Sequence, residues 1–353
     1  MNPHLLWNNL VAYSLQVGLL IAVAAAVPRL LRLQPPRARL LFWRMALAAC
    51  LLLPVVQPWQ QPAIEVVGPL VDAPVPATPL PPAPRRLPLV ESALALIALG
   101  IGLRSGWLAL GLLRLRRYRR AALPLHPLPA ALADLRALAP DARLCLSAGV
   151  ASPVTFGARR PVILLPARFP QLELRLQRAI VCHEMLHVAR RDWLATIAEE
   201  IVRALLWFHP AVWWLLGQVQ LSREQTVDRE VLDLTRSPHE YLDALLAIAG
   251  ARPQLDLAPA PLFLRRRHLK QRVVSILEEV PMSTKRMLPR LAAGLGALAL
   301  AAWLSVSVFP LAAAPQWVAD ADGVTVDAGA AVVSTAPPSI IRKPRASKAS
   351  RAP

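Results

Sequence analysis

Charge is scarce in this chain, and negative charge is scarcer still. Of 353 residues, 18% are charged, with 22 Asp and Glu against 40 Lys and Arg, while 55% are hydrophobic. Mean hydropathy is +0.42. So little charge excludes an ordinary soluble domain and makes membrane insertion the first expectation. The net charge of +18 would suit a nucleic-acid partner. The basic residues, however, lie beside apolar runs rather than on one amphipathic face, so they read as topology signals and no nucleic-acid contact is expected. Cysteine is nearly absent. Cys50, Cys145 and Cys182 are scattered and odd in number, which suggests neither a disulfide framework nor a cysteine-built zinc site. Lys and Arg are missing before the first apolar run, residues 5–27. A cleaved signal peptide would have a basic start, so this run is expected to stay as a span with its N-terminus outside the cytoplasm.

What is present follows from those apolar runs. Residues 5–27, 40–56, 89–115 and 291–309 are long and apolar enough to cross a bilayer. Asn8, Asn9, Ser14 and Gln16 in the first would face other helices. Arg29, Arg32, Arg37, Arg39 and Arg44 mark a cytoplasmic connection between the first two, and Arg114, Arg116, Arg117, Arg119 and Arg120 close the third on the same side. Arg104, inside the third span, would either have a partner in the bundle or a wet cavity or snorkel from a long, tilted helix, and snorkelling is the preferred reading. Residues 57–88 are proline-rich and form an extended external loop. Residues 310–353 form a short external tail with few large apolar residues.

Between spans three and four, residues 121–290 have the mixed character of a folded domain. A short alternating run at 143–147, a second candidate strand near Val154 and the compact apolar run 162–165 predict a small sheet. Either an edge strand just before the following helix holds an extended peptide by backbone pairing, or the small sheet only supports that helix. That helix, residues 172–190, carries the stretch VCHEMLHVARRD with His183, Glu184 and His187 as H-E-x-x-H. Residues four apart on a helix share a face, so the two imidazoles can grip one zinc ion. Glu184 then sits beside the metal as a general base for water. Cys182 is one helical step of about 100° from His183 and packs as a small apolar residue.

A catalytic zinc usually takes a third protein ligand. The next helix offers Glu224, Asp228, Glu230 and Asp233. Residues 201–219 intervene and resemble a span by hydropathy, but His209 and Pro210 interrupt them. A span here would put those carboxylates on the wrong side of the membrane. The run is therefore expected to be a non-spanning hairpin, with Pro210 at its turn or at the first position of the next helix. The basic residues Arg265, Arg266, Arg267, Lys270 and Arg272 mark the cytoplasmic approach to span four.

REQTVDREVL at 223–232 resembles the membrane metallopeptidases of the β-lactam sensor-transducer (BlaR/MecR-type antirepressor) family. Those proteins carry a glutamate followed four residues later by an aspartate. Val227 stands here where the family usually has cysteine. SPVTFGARRPVILLP at 152–166, HVARRD after the metal motif and FHPAVWW at 208–214 extend the resemblance, which covers about residues 5–310. It implies a mainly α, integral-membrane architecture: four transmembrane helices with a cytoplasmic zincin-like (gluzincin) α+β peptidase domain between spans three and four, in a bacterial inner membrane. It also implies Zn2+ as cofactor, Glu224 as third ligand and Asp228 as that ligand's outer companion. Asp192 follows the motif closely and either orients a ligand or holds the turn between helices; holding the turn is the preferred role. His209 is a candidate for polarising a scissile carbonyl. The implied substrate is a protein, either a cytoplasmic transcriptional repressor or the chain itself by self-cleavage; charge and position alone make residues 264–275 a candidate region for the latter. Penicillin-binding members carry S-x-x-K, which occurs nowhere here, so acylation by β-lactams is not expected. The competing reading is a catalytically idle membrane scaffold braced by zinc; the base Glu184 favours the enzyme.

Overall fold

In the computed structural model the described residues are 2–60, 88–249, 268–277 and 284–313, with strand pieces at 318–319 and 325–326. The expected loop at 57–88 and tail at 310–353 lie largely outside them. The chain is mainly helical. Helix α1 (Pro3–Leu30) starts on a cap in which the Asn2 side chain accepts from the His4 N–H at 3.0 Å, with Pro3 at its first position. Helices α2 (Pro36–Val56), α3 (Leu89–Ala121) and α9 (Thr284–Val308) follow the other apolar runs. All four are long and apolar enough to cross a membrane, by length and composition. Val17, Leu20 and Ala24 of α1, Phe42 and Ala46 of α2 and Leu298 of α9 form one apolar core. At one end of that core Gln16 donates to Gln57 Oε1 at 2.8 Å and to the Phe309 carbonyl at 2.5 Å, so a polar side chain of α1 faces helices rather than lipid.

A four-stranded sheet forms between α3 and the metal-motif helix. Its order is β1 (Leu123–Pro124), β2 (Arg143–Ser147), β4 (Val162–Pro166), β3 (Val154–Phe156). Strand β4 runs parallel to β2 and antiparallel to β3. It is therefore interior, which corrects the expectation that the strand before the zinc helix is an edge; the edges are β1 and, beside β4, β3. Interior placement explains the unbroken apolar run. Ile163 and Leu165 enter one core with helix α4 (Leu174–Ala189), and Val162 and Leu164 enter a second with Leu115 of α3. Gly157 turns the chain between β3 and β4 at φ +97°, and a Cβ there would lie 2.8 Å from the Arg160 carbonyl oxygen.

Residues 201–219 do not form one helix. Helix α5 (Asp192–Leu205) stops, and α6 (Pro210–Thr235) begins with proline at its first position. The turn is held from two of the candidate spans. The Trp207 indole donates to the Ile97 carbonyl of α3 at 3.1 Å, and a ring nitrogen of His209 lies 3.0 Å from the Ser14 carbonyl of α1. Gly100 makes room for Trp207, since a Cβ would meet the indole at 2.1 Å. Arg104 lies over the Trp213 ring at 4.6 Å, so its partner is in the bundle and the snorkelling reading is replaced by a cation–π contact. Helices α7 (Pro238–Ala249) and α8 (Leu269–Leu277) close over α4 and α6. Apart from these elements, Gln60 bridges to Ala312, and β5 (Val318–Ala319) pairs with β6 (Thr325–Val326).

Candidate metal centre

Helix α4 is amphipathic in a way that serves the motif. Ala179, Ile180, Cys182, Met185 and Leu186 bury one side against the sheet, which leaves His183, Glu184 and His187 partly exposed beside α6. Cys182 is fully buried in that packing, as expected. The Nε2 atoms of His183 and His187 stand 3.1 Å apart. Glu224, projecting from α6, places its two carboxylate oxygens 3.6 and 3.7 Å from them. One donor atom from each residue lies within 4.8 Å of the others.

This donor set fits zinc. Four tetrahedral donors at zinc's bond lengths stand about 3.3 Å apart, close to the spacings seen, and two imidazoles with a carboxylate are a usual open catalytic set. Each imidazole also has its other nitrogen engaged. His187 Nδ1 lies 2.9 Å from Asp192 Oδ2, and His183 Nδ1 lies 2.8 Å from the Tyr241 hydroxyl. Both Nε2 lone pairs are thereby free to converge on one point.

The electrostatics agree with the packing. Burial opposes ionisation of Glu224, but the Arg272 guanidinium and the His187 and His183 rings overcome it and hold its carboxyl well below the usual range. Burial works against a charged His187, yet the Glu224 and Asp192 carboxylates raise it above the ordinary imidazole value. Burial, reinforced by the Asp228 carboxylate, pushes the Tyr241 hydroxyl well above its usual range, so it remains a donor.

Around the donors, Thr155 of β3 donates to Glu184 Oε2 at 2.5 Å. Asp192 does both jobs weighed for it: it is the first residue of α5, and its carboxylate meets His187. It is further tied to Arg190 at 3.3 Å and Arg44 of α2 at 3.7 Å. Asp228 does not touch a histidine directly, its oxygen standing 3.7 Å from His183 Nδ1. It instead accepts from Tyr241 at 2.5 Å and from two nitrogens of Arg272 at 2.8 and 2.6 Å.

Two expectations fail geometrically. His209 caps α6 fifteen residues before Glu224, about 22 Å along the helix axis, and its ring bonds to α1. It cannot polarise a carbonyl at this cluster. Of the 264–275 stretch, residues 264–267 lie outside the described residues, and most of the rest is α8. That helix is docked, with Arg272 anchored on Asp228 and Ile276 buried, and so is not an open, extended substrate.

Sequence reasoning missed Tyr241, Thr155 and the role of Arg272. Tyr241 lies on an apolar helix face and Arg272 in a run of cations, and neither context reveals the partner that folding supplies.

The profile of the family described as BlaR1 peptidase M56 matches residues 79–276, more than half of the chain and all of the cluster above. Regulatory protein BlaR1 of Bacillus licheniformis is 27% identical over 132 residues, which are 36% of this chain and 22% of that protein. The match thus spans about a fifth of the relative's length.

Proposed function

Because the chain belongs to the BlaR1 peptidase M56 family, we propose that it is a membrane zinc endopeptidase with His183, His187 and Glu224 as ligands and Glu184 as general base. The observation that carries this reading is the convergence of the two Nε2 atoms and the Glu224 carboxylate at zinc-like spacing next to Glu184. Zinc in this set supplies a Lewis acid for the peptide carbonyl and makes water at the site more acidic.

The chain's own groups handle the protons. Glu184 accepts one proton from water as the water oxygen attacks the carbonyl carbon, and returns it to the nitrogen as the C–N bond breaks. Thr155 donates to Glu184 Oε2 and so leaves Oε1 as the basic oxygen. Asp192 holds the His187 ring. The outer edge of β3, which pairs with no strand among the described residues and carries Thr155, is the natural place for an extended substrate to pair.

We assign α1, α2, α3 and α9 as the four spans and residues 121–290 as a cytoplasmic peptidase domain, with 57–88 and 310–353 outside. The clusters of Arg at the matching ends of the spans support this orientation. A cytoplasmic regulatory protein, repressor-like, is the proposed substrate, and signal transduction the proposed context. The test uses the full chain purified in detergent with a proteome-derived peptide library read by mass spectrometry. Internal cleavages that vanish with a chelator and return with zinc are expected; a library left intact by zinc-loaded protein overturns the reading. Reporters fused after Arg120 and after Gly250 should both lie in the cytoplasm, and opposite sides would overturn the topology.

A further inference from the structure

The two proposed histidine ligands are held differently. His187 meets a carboxylate directly, through Asp192 at 2.9 Å. His183 does not, because Asp228 at 3.7 Å is beyond hydrogen-bond distance. The Tyr241 hydroxyl fills that gap, 2.8 Å from His183 Nδ1 and 2.5 Å from Asp228 Oδ1. Tyr241 is 1% exposed, so both contacts are shielded from bulk solvent.

The direction of the chain of bonds follows from what each group can do. A carboxylate only accepts, so the single proton of the hydroxyl goes to Asp228. The oxygen then faces His183 Nδ1 with a lone pair, which requires the proton of the ring to sit on Nδ1. In that tautomer Nε2 presents its lone pair to His187 and Glu224. Arg272, reaching in from α8, fixes Asp228 with two nitrogens and so fixes the direction in which Tyr241 must donate.

We infer that Tyr241 is a positioning residue for the metal site: with Asp228 and Arg272 it sets the tautomer and ring orientation of His183, as Asp192 does for His187. This rests on the metal site proposed above. It also gives α8 a function, since the helix leading towards the fourth span supplies the arginine on which the relay ends.

The test is the affinity of the full-length protein for zinc, by competition with a chromophoric chelator, and the visible spectrum of the cobalt-substituted protein. Tyr241→Phe keeps the ring and removes only the hydroxyl. It is expected to weaken zinc binding about 10- to 100-fold and to alter the cobalt spectrum. The control is Tyr13→Phe, which removes another hydroxyl, bonded to the Cys50 carbonyl in the membrane bundle, and should leave both readouts unchanged. Asp228→Asn should move both in the direction of Tyr241→Phe. Arg272→Gln cannot decide the matter alone, because Arg272 also lies 3.2 Å from Glu224.

Two failures are distinguishable. If wild-type protein binds no zinc, or binds it equally after His187→Ala, the metal-site reading falls and takes this inference with it. If wild type binds zinc through that site and Tyr241→Phe binds it equally well with an unchanged cobalt spectrum, only the positioning role falls. A loss of melting temperature in metal-free Tyr241→Phe with unaltered zinc affinity would likewise assign the hydroxyl to stability alone and overturn the role.

Discussion

Helix α6 is one continuous element with two kinds of interior, and its halves show what each kind of packing can do. From Val212 to Val219 its buried residues are aliphatic and join Leu20, Phe42 and Leu298 of the candidate spans. From Ser222 to Asp228 they are mostly polar: Ser222, Arg223, Gln225, Thr226 and Asp228. The first half is held by contacts that have no direction. The second is held by pairs with defined geometry, such as Arg223 with Glu199 at 2.9 and 3.0 Å. Non-directional packing tolerates repacking and can anchor a helix in a bundle, whereas a ligand must be held to a fraction of an ångström. Putting both on one helix ties Glu224 to the bundle of candidate spans.

The comparison breaks most severely at the proposed ligand itself. Glu224→Ala should reduce zinc from about one ion per chain to background by elemental analysis; retention of the ion would remove Glu224 from the set. Next comes the buried ion pair. Glu199→Gln takes from buried Arg223 its bidentate carboxylate partner, leaving only the charges of Glu224 and Asp192 to support it, and should cost about 3 kcal/mol of stability, whereas replacing both by Met and Leu should cost far less. Thermal melts in detergent would separate the two cases. Asp192→Asn should weaken zinc binding about 10- to 100-fold with little effect on melting. The smallest effect belongs to the aliphatic half, where Leu216→Met should cost under about 1.5 kcal/mol and leave zinc affinity unchanged.

The same contrast explains how far the sequence could be read. The spacing of His183 and His187 fixes their geometry locally, so the motif was legible before any fold. The break at Pro210 was legible because proline has no place in mid-helix and a span there would strand the carboxylates. The strand at 143–147 was marked by alternation and matches β2. The interior position of β4 was not legible, because an apolar run does not say which neighbours flank it. Arg272 looked like one more cation in a topology signal, and becomes an anchor only when α8 packs on α6. Thr155 and Tyr241 owe their contacts to tertiary packing of β3 and α7 on α4. Local spacing thus reveals the proposed ligands on α4, while the groups that hold them come from elsewhere in the chain.

The central claim is that Glu184 acts on water at a zinc site rather than merely sitting beside it. Its most direct test compares zinc content and peptide-library cleavage of the wild-type protein and Glu184→Gln, both full length. We predict equal zinc in the two proteins and a loss of cleavage of about 10²- to 10⁴-fold in the variant. A Glu184→Gln protein that holds zinc and cleaves as the wild type does would contradict the account.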